Sequence, residues 1–213
     1  MAHYDLEEQE QIDTLKTWWQ MYGNLVTSLL AAAALAAAGW QGWNWYQNNE
    51  TAKAAAVFAS LEQAVQAGDA QRIKSSAGEL TEKYGRSGYA ALGALLAARH
   101  SFDAGDLKTA KAQLGWVADN ARDELRDIAR LRLGAVLLDE KAYDEALKAL
   151  EAAPASAFVA RFAELKGDIL VAQGKSAEAR TAYQAALDKI GSKASGPARE
   201  LLQQKLDSVG EAA

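Results

Sequence analysis

The chain contains no cysteine. Disulfides, thiolate nucleophiles and cysteine-ligated zinc are thereby excluded, although the redox compartment stays open. Histidine is scarce as well: His3 and His100 stand far apart and alone, which is no basis for a zinc site or a catalytic dyad. Only two prolines and four phenylalanines occur, against 48 alanines in 213 residues. That balance favours helix and argues against a β-sandwich or barrel, which needs β-branched residues and turn formers. Gly88 and Gly93 lack the spacing of a phosphate-binding loop. The neighbouring carboxylates Glu7-Glu8 and Asp123-Glu124 read as exposed helix starts rather than acid/base pairs. No constellation for catalysis, cofactor or metal binding is visible, so function is expected to reside in surfaces.

The net charge of −5 is unevenly spread. Residues 1–16 hold Asp5, Glu7, Glu8, Glu10 and Asp13 against Lys16, which is five acidic groups minus one basic group, or −4. Residues 50–213 hold 22 basic and 23 acidic groups, or −1. A nearly neutral large part lacks the basic footprint of a nucleic-acid binder.

Between Thr17 and Asn49 there is no charged residue at all. Within that window Leu25 to Trp40 reads LVTSLLAAAALAAAGW. With its flanks it matches the roughly 20 residues a helix needs to cross a bilayer core of ~30 Å. Five of the six tryptophans lie between positions 18 and 45. Trp18, Trp19 and Tyr22 form one group, and Trp40, Trp43, Trp45 and Tyr46 the other. Tyr22 and Trp43 are separated by about 31 Å of helix, the spacing of two interfacial aromatic belts. A buried alanine-rich helix would have no use for such belts. A cleaved signal peptide ending at Ala36-Ala37-Ala38 is the other alternative, but the leading segment is long and acidic where a signal peptide begins short and basic. Leu25, Val26, Leu29, Leu30 and Leu35 contribute only about −2 kcal/mol of insertion energy together. A span this marginal often packs against other helices, and Ala34, Ala38 and Gly42 form a stripe of small residues suited to it. Lys16 on one flank and Lys53 on the other leave orientation undecided by charge.

Beyond Glu50 the apolar period is helical throughout. Ala67-Gly68-Asp69 recurs as Ala104-Gly105-Asp106. Gly134, Leu137, Ala146, Leu150 and Ala153 are echoed by Gly167, Leu170, Ala179, Tyr183 and Ala186. The last set, completed by Gly174, resembles a tetratricopeptide repeat: small residues where two helices touch, an aromatic beside them, and glycine at the turn. The unit before it departs from the pattern, with Lys141 in place of the turn glycine and Pro154 ending its second helix early. Four hairpins are expected, at 50–84, 88–122, 124–153 and 156–190, followed by a capping helix from Pro197 to about Val209 with Leu201, Leu202, Leu206 and Val209 on its apolar face. The fold class expected is all-α: one N-terminal transmembrane helix, then a tetratricopeptide-like solenoid of helical hairpins. The divisions are an acidic tail at 1–21, a transmembrane helix at 22–46 and the helical domain at 50–213.

This order of parts resembles the ancillary subunit family of the SecYEG translocon. The residues that carry the likeness are Glu8-Gln9, Lys16-Thr17-Trp18-Trp19, Gly39-Trp40, Tyr89-Ala90-Ala91-Leu92 and the hairpin motifs. The resemblance implies a single-span protein of the bacterial inner membrane, its N-terminus cytoplasmic and its helical domain periplasmic. It implies the lipid bilayer, the SecYEG translocon and a periplasmic membrane-anchored peptidyl-prolyl isomerase chaperone as partners, and a part in handing over newly translocated proteins. A general cell-envelope scaffold unconnected to translocation is the alternative. In tetratricopeptide stacks the second, fifth, ninth and twelfth positions of each first helix line a groove. That register selects Leu92, Leu95, Arg99, Phe102, Ile128, Leu131, Ala135, Leu138, Arg161, Glu164, Asp168 and Val171. The candidate partner-binding residues are Leu92, Leu95, Phe102, Ile128, Leu131 and Leu138, and the candidate membrane helix-packing residues are Ala34, Ala38 and Gly42.

Overall fold

A computed structural model describes residues 6–190 and 196–210. Among these residues the chain forms nine α-helices and no strand. They are α1 (Leu6–Ala67), α2 (Ala70–Lys83), α3 (Gly88–Asp103), α4 (Leu107–Asn120), α5 (Asp123–Asp139), α6 (Tyr143–Ala149), α7 (Val159–Ala172), α8 (Ser176–Ile190) and α9 (Pro197–Gly210), with one 3-10 turn at Ser156–Phe158. The chain divides into two units, Met1–Ala52 and Lys53–Ala213.

The first unit is helical from Leu6 onward. It holds a window with mean hydropathy 1.5, and α1 is the one described helix long and apolar enough to cross a membrane. Only 6% of that window is buried, so it is no core helix of a soluble fold. Leu25, Leu29, Leu30 and Leu35 all point outward, as do Trp40, Trp43 and Trp45.

The second unit is a row of four helical hairpins and a final helix. The hairpins pair residues 53–67 of α1 with α2, α3 with α4, α5 with α6, and α7 with α8. Their limits follow those expected from the repeats except in the third, where the second helix stops at Ala149, so that Ala153, read as a repeat position, lies exposed outside any helix. Each turn closes by the same device. Gly68, Gly105, Lys141 and Gly174 have φ of 69°, 79°, 62° and 75°. The next N–H in each case donates to the carbonyl five residues back: Asp69 to Ala64, Asp106 to Ser101, Ala142 to Leu137 and Lys175 to Leu170. This is the left-handed helix stop that satisfies otherwise orphaned carbonyls. The recurring Gly-Asp then does double duty. Glycine takes the left-handed conformation without penalty, and the aspartate caps the following helix. Asp69 accepts the Arg72 N–H and Asp106 the Thr109 N–H, both at 3.0 Å. Asp106 also has its carboxyl pKa lowered, chiefly by the hydrogen bonds from Thr109.

The third hairpin lacks both residues, having Lys141 and Ala142 instead. Its second helix, α6, has seven residues and no side-chain cap. The chain from Leu150 to the 3-10 turn is irregular, and Pro154 keeps the residue before it out of the helical region. Asp127 on α5 restrains this stretch. It is fully buried, and its carboxylate accepts the Ala155 N–H at 2.8 Å, with the guanidinium of Arg130 at 3.9 Å.

Four apolar clusters run along the row. The first joins the end of α1 to α2 and α3 through Leu61, Ile73 and Leu80. The second joins α3, α4 and α5 through Leu95, Leu114 and Val117. The third centres on Leu137, Ala146 and Ile169. The fourth joins α7, α8 and α9 through Leu170, Tyr183, Leu187 and Leu202. Trp116 packs against both of the first two, and Leu133 against both middle ones. Each fully buried leucine contributes about 1.5–3 kcal/mol by leaving water. Alanine does the complementary work: Ala90, Ala94, Ala97, Ala110, Ala129, Ala146, Ala179 and Ala186 are all fully buried, which allows close helix approach.

Candidate functional site

The arrangement of first helices defines the surface to examine. α3 touches α5, and α5 touches α7. First helices of successive hairpins therefore stand in a row, and the register positions picked out in the sequence fall along it.

Those positions are not equivalent. Leu92 and Phe102 are exposed at 41% and 39%. Val171, at the twelfth position of the last hairpin, is also exposed. Ile128 is half-buried against the second cluster, and Leu138 half-buried against the third. Leu131 is half-buried. Leu95 is buried at 7% inside the second cluster, so it packs the hairpin and is not part of the open surface. Arg99 is exposed and pairs with Asp103 one turn on, its Nε 2.8 Å from Asp103 Oδ2. The exposed apolar residues of the row are thus Leu92, Phe102 and Val171, with Ile128, Leu131 and Leu138 half-buried; Leu92, Phe102, Ile128 and Leu131 make up the apolar strip on α3 and α5, with the Arg99–Asp103 pair beside it.

At the last hairpin the row carries carboxylates, and the chain covers them itself. The Lys205 ammonium on α9 donates to Glu164 Oε1 at 2.9 Å and to both oxygens of Asp168 at 2.8 Å. The Tyr183 hydroxyl donates to Asp168 Oδ1, also at 2.8 Å. Burial works against the charged form of Lys205, but the hydrogen bonds to Asp168 and Glu164 outweigh it and raise its pKa above the ordinary lysine value. Burial, reinforced by the bond to Asp168, pushes the Tyr183 phenol far up. Leu202 and Val209 are buried on either side of Lys205, and Leu206 packs with them. Leu201, expected on the same face, is half exposed instead, because it lies one residue out of the 202–206–209 stripe. The clamp went unread in the sequence. Its signal was a lysine within an apolar stripe, opposite two acidic residues spaced four apart on one helix face.

In the first unit, Ala34, Ala38 and Gly42 are exposed on α1. A Cβ built on Gly42 meets nothing within 4 Å, so among the described residues nothing packs on that position.

Repeated two-helix units, closed by glycine-type turns and stacked through their first helices, make this a tetratricopeptide-repeat-like protein. The comparison with known families agrees: residues 16–211 match the tetratricopeptide repeat-like domain. Over 209 residues the chain is 40% identical to the ancillary SecYEG translocon subunit of Neisseria gonorrhoeae, covering 96% of this chain and 98% of that one. It is 30% identical to the subunit of the same name from Haemophilus influenzae, covering 86% of this chain and 90% of that one. The Escherichia coli K12 subunit is 27% identical, with 95% and 96% covered. The chain belongs to the family of ancillary SecYEG translocon subunits.

Proposed function

We propose that this chain is a non-enzymatic subunit anchored in the bacterial inner membrane by residues 22–46, working beside the SecYEG translocon. Residues 1–20 lie in the cytoplasm, and the helical domain of residues 50–213 lies in the periplasm. There the domain takes up newly translocated proteins and passes them to a membrane-anchored peptidyl-prolyl isomerase chaperone. The observation that carries this reading is the 40% identity, over nearly the whole of both chains, to a protein named for its place at the translocon. The uncharged stretch with its two aromatic groups supports the anchor, and Ala34, Ala38 and Gly42 supply a face on which another span can pack closely. The apolar strip of Leu92, Phe102, Ile128 and Leu131 is suited to an amphipathic helix or an unfolded segment.

Two measurements test this. Gentle detergent extraction of the tagged chain should bring down SecY and the isomerase together, and recovery of neither would overturn the reading. Protease added to spheroplasts should digest residues 50–213; survival of the domain until the cytoplasmic side is opened would reverse the orientation.

A further inference from the structure

The segment that precedes the uncharged stretch is amphipathic. At 100° per residue, Ile12, Leu15, Trp18, Trp19 and Tyr22 fall within an arc of about 120°. Glu10, Asp13, Lys16 and Thr17 occupy the remainder of the circumference. All five apolar side chains are exposed, Leu15 at 66% and Ile12 at 42%. A face of this kind needs a cover, and four features of the segment decide which.

Lipid reaches Trp18, Trp19 and Tyr22, which lie in the headgroup belt, but not the outer end of the face, Ile12 and Leu15. The helix runs unbroken from Leu6 through the stretch without charge, so this segment continues the line of the span. At the one glycine of the junction, Gly23, the Trp19 ring lies against the backbone, and a Cβ there would stand 3.2 Å from it. With Tyr22 at the edge of the hydrocarbon, Leu15 and Ile12 stand about 10 and 15 Å further along the axis. The headgroup zone is only about 5–8 Å deep on each side. Both residues therefore project beyond the bilayer.

The charge excludes two further covers. Residues 1–16 carry five acidic groups and one basic group, and Lys16 is already engaged with Asp13 at 3.3 Å. An anionic lipid surface repels such a segment. A second copy, bearing the same −4, repels it as well. What remains is a protein helix with its own apolar face and a surplus of lysine and arginine. Membrane proteins place such residues at the cytoplasmic ends of their spans.

From this juxtaposition we infer that the Ile12–Leu15 face is a docking surface for the basic cytoplasmic end of a partner's transmembrane helix, seated just above the membrane. The inference rests on the reading above that residues 1–20 are cytoplasmic, and of the two membrane partners proposed there it commits to a subunit of the translocon, the one for which the relatives are named.

The test uses the full-length chain co-reconstituted with SecYEG of the same organism in nanodiscs of zwitterionic lipid. A photo-crosslinking phenylalanine analogue is placed at Leu15, or at Thr17 on the opposite face. The Leu15 probe is expected to join a translocon subunit within its Lys/Arg-rich cytoplasmic segments, and the Thr17 probe is not. The double reversal Glu10→Lys with Asp13→Lys should lower the Leu15 yield about tenfold, as expected for like charges brought together. Added lysines before the span favour the same tail-in orientation, so the loss cannot come from inversion. Labelling of lipid, of a second copy, or equally from both faces overturns the inference while leaving association with the translocon intact. An unchanged yield after charge reversal overturns the basic partner. Failure of the chain to co-purify with SecYEG from the nanodisc removes the underlying reading and the inference with it.

Discussion

A methyl group on Gly167 would sit 2.3 Å from Cε1 of Tyr183. The ring cannot retreat: Tyr183 is buried at 3%, and its hydroxyl is held by Asp168 on the same helix as the glycine. Gly167→Ala therefore forces α7 and α8 apart. The expected loss is about 1–3 kcal/mol, or roughly 2–4 °C of melting temperature per kcal/mol for a domain of this size. Thermal unfolding followed by circular dichroism measures it. An unchanged midpoint would show that the two helices do not meet as described.

Ala179 and Ala186 are fully buried in the same contact. Ala179→Leu or Ala186→Leu should overpack it, destabilising by about 1–3 kcal/mol, whereas the same change at exposed Ala185 should be nearly neutral. Equal midpoints for the three variants would mean the register of the hairpin is wrong.

The third turn offers a gain. Lys141 holds φ at 62° where the other three turns have glycine. The left-handed conformation costs a non-glycine residue about 1–2 kcal/mol, less the roughly 0.4–1 kcal/mol by which glycine favours the unfolded chain. Lys141→Gly should stabilise by the difference, and adding Ala142→Asp should contribute about 0.5–1 kcal/mol more by capping α6. Chemical denaturation with an unchanged slope reports both; a lower midpoint would refute the account of the turn.

The Lys205 clamp gives a pH dependence whose sign is fixed. The folded pKa of Lys205 lies above the ordinary value of 10.5. Its contribution is complete below that value and is lost as pH rises through the folded one. Tyr183 behaves in the same sense above 10.0, since ionisation removes the proton it donates to Asp168. Lys205→Met should destabilise the seating of α9 by about 1–2 kcal/mol at neutral pH, and the difference from the parent chain should shrink in strongly alkaline solution. A difference that grows with alkalinity would contradict the assignment.

Leu131→Asp separates binding from packing. Leu131 is half-buried, and Leu95 is core. On the proposed function, Leu131→Asp should leave the helical spectrum intact and abolish co-purification of the isomerase, while Leu95→Asp should unfold the second and third hairpins. Loss of structure in Leu131→Asp would move that residue into the core and leave Leu92 and Phe102 as the strip.

Much of the fold could be read from the chain because its rules are local. Gly-Asp marks the first two turns and Gly174 the fourth, small residues mark helix contacts, and Gly167 through Ala186 follow a repeat whose spacing is dictated by the hairpin itself. What could not be read depends on neighbours distant in sequence. Leu92 and Leu95 look alike in a helical register, yet one is exposed and the other buried, because α4 and α5 close over only one of them. Asp127 reads as one more surface carboxylate, but it is buried and bonded to a backbone N–H 28 positions away. The contact between Lys205 and Glu164 spans 41 residues and is equally silent in any local window.

The short α6 makes the row mechanically uneven. In a linear array each unit is held by its own stability and by its two neighbours, so a weak unit does not spread its weakness but localises it. Amide protons of α6 should exchange with solvent ahead of those in α3, α4, α7 and α8. Under a pulling force the chain should yield first between α5 and α7. The periplasmic part proposed here would then behave as two stiff blocks joined by a compliant one, able to change the distance between the apolar strip and the clamped end without unfolding either.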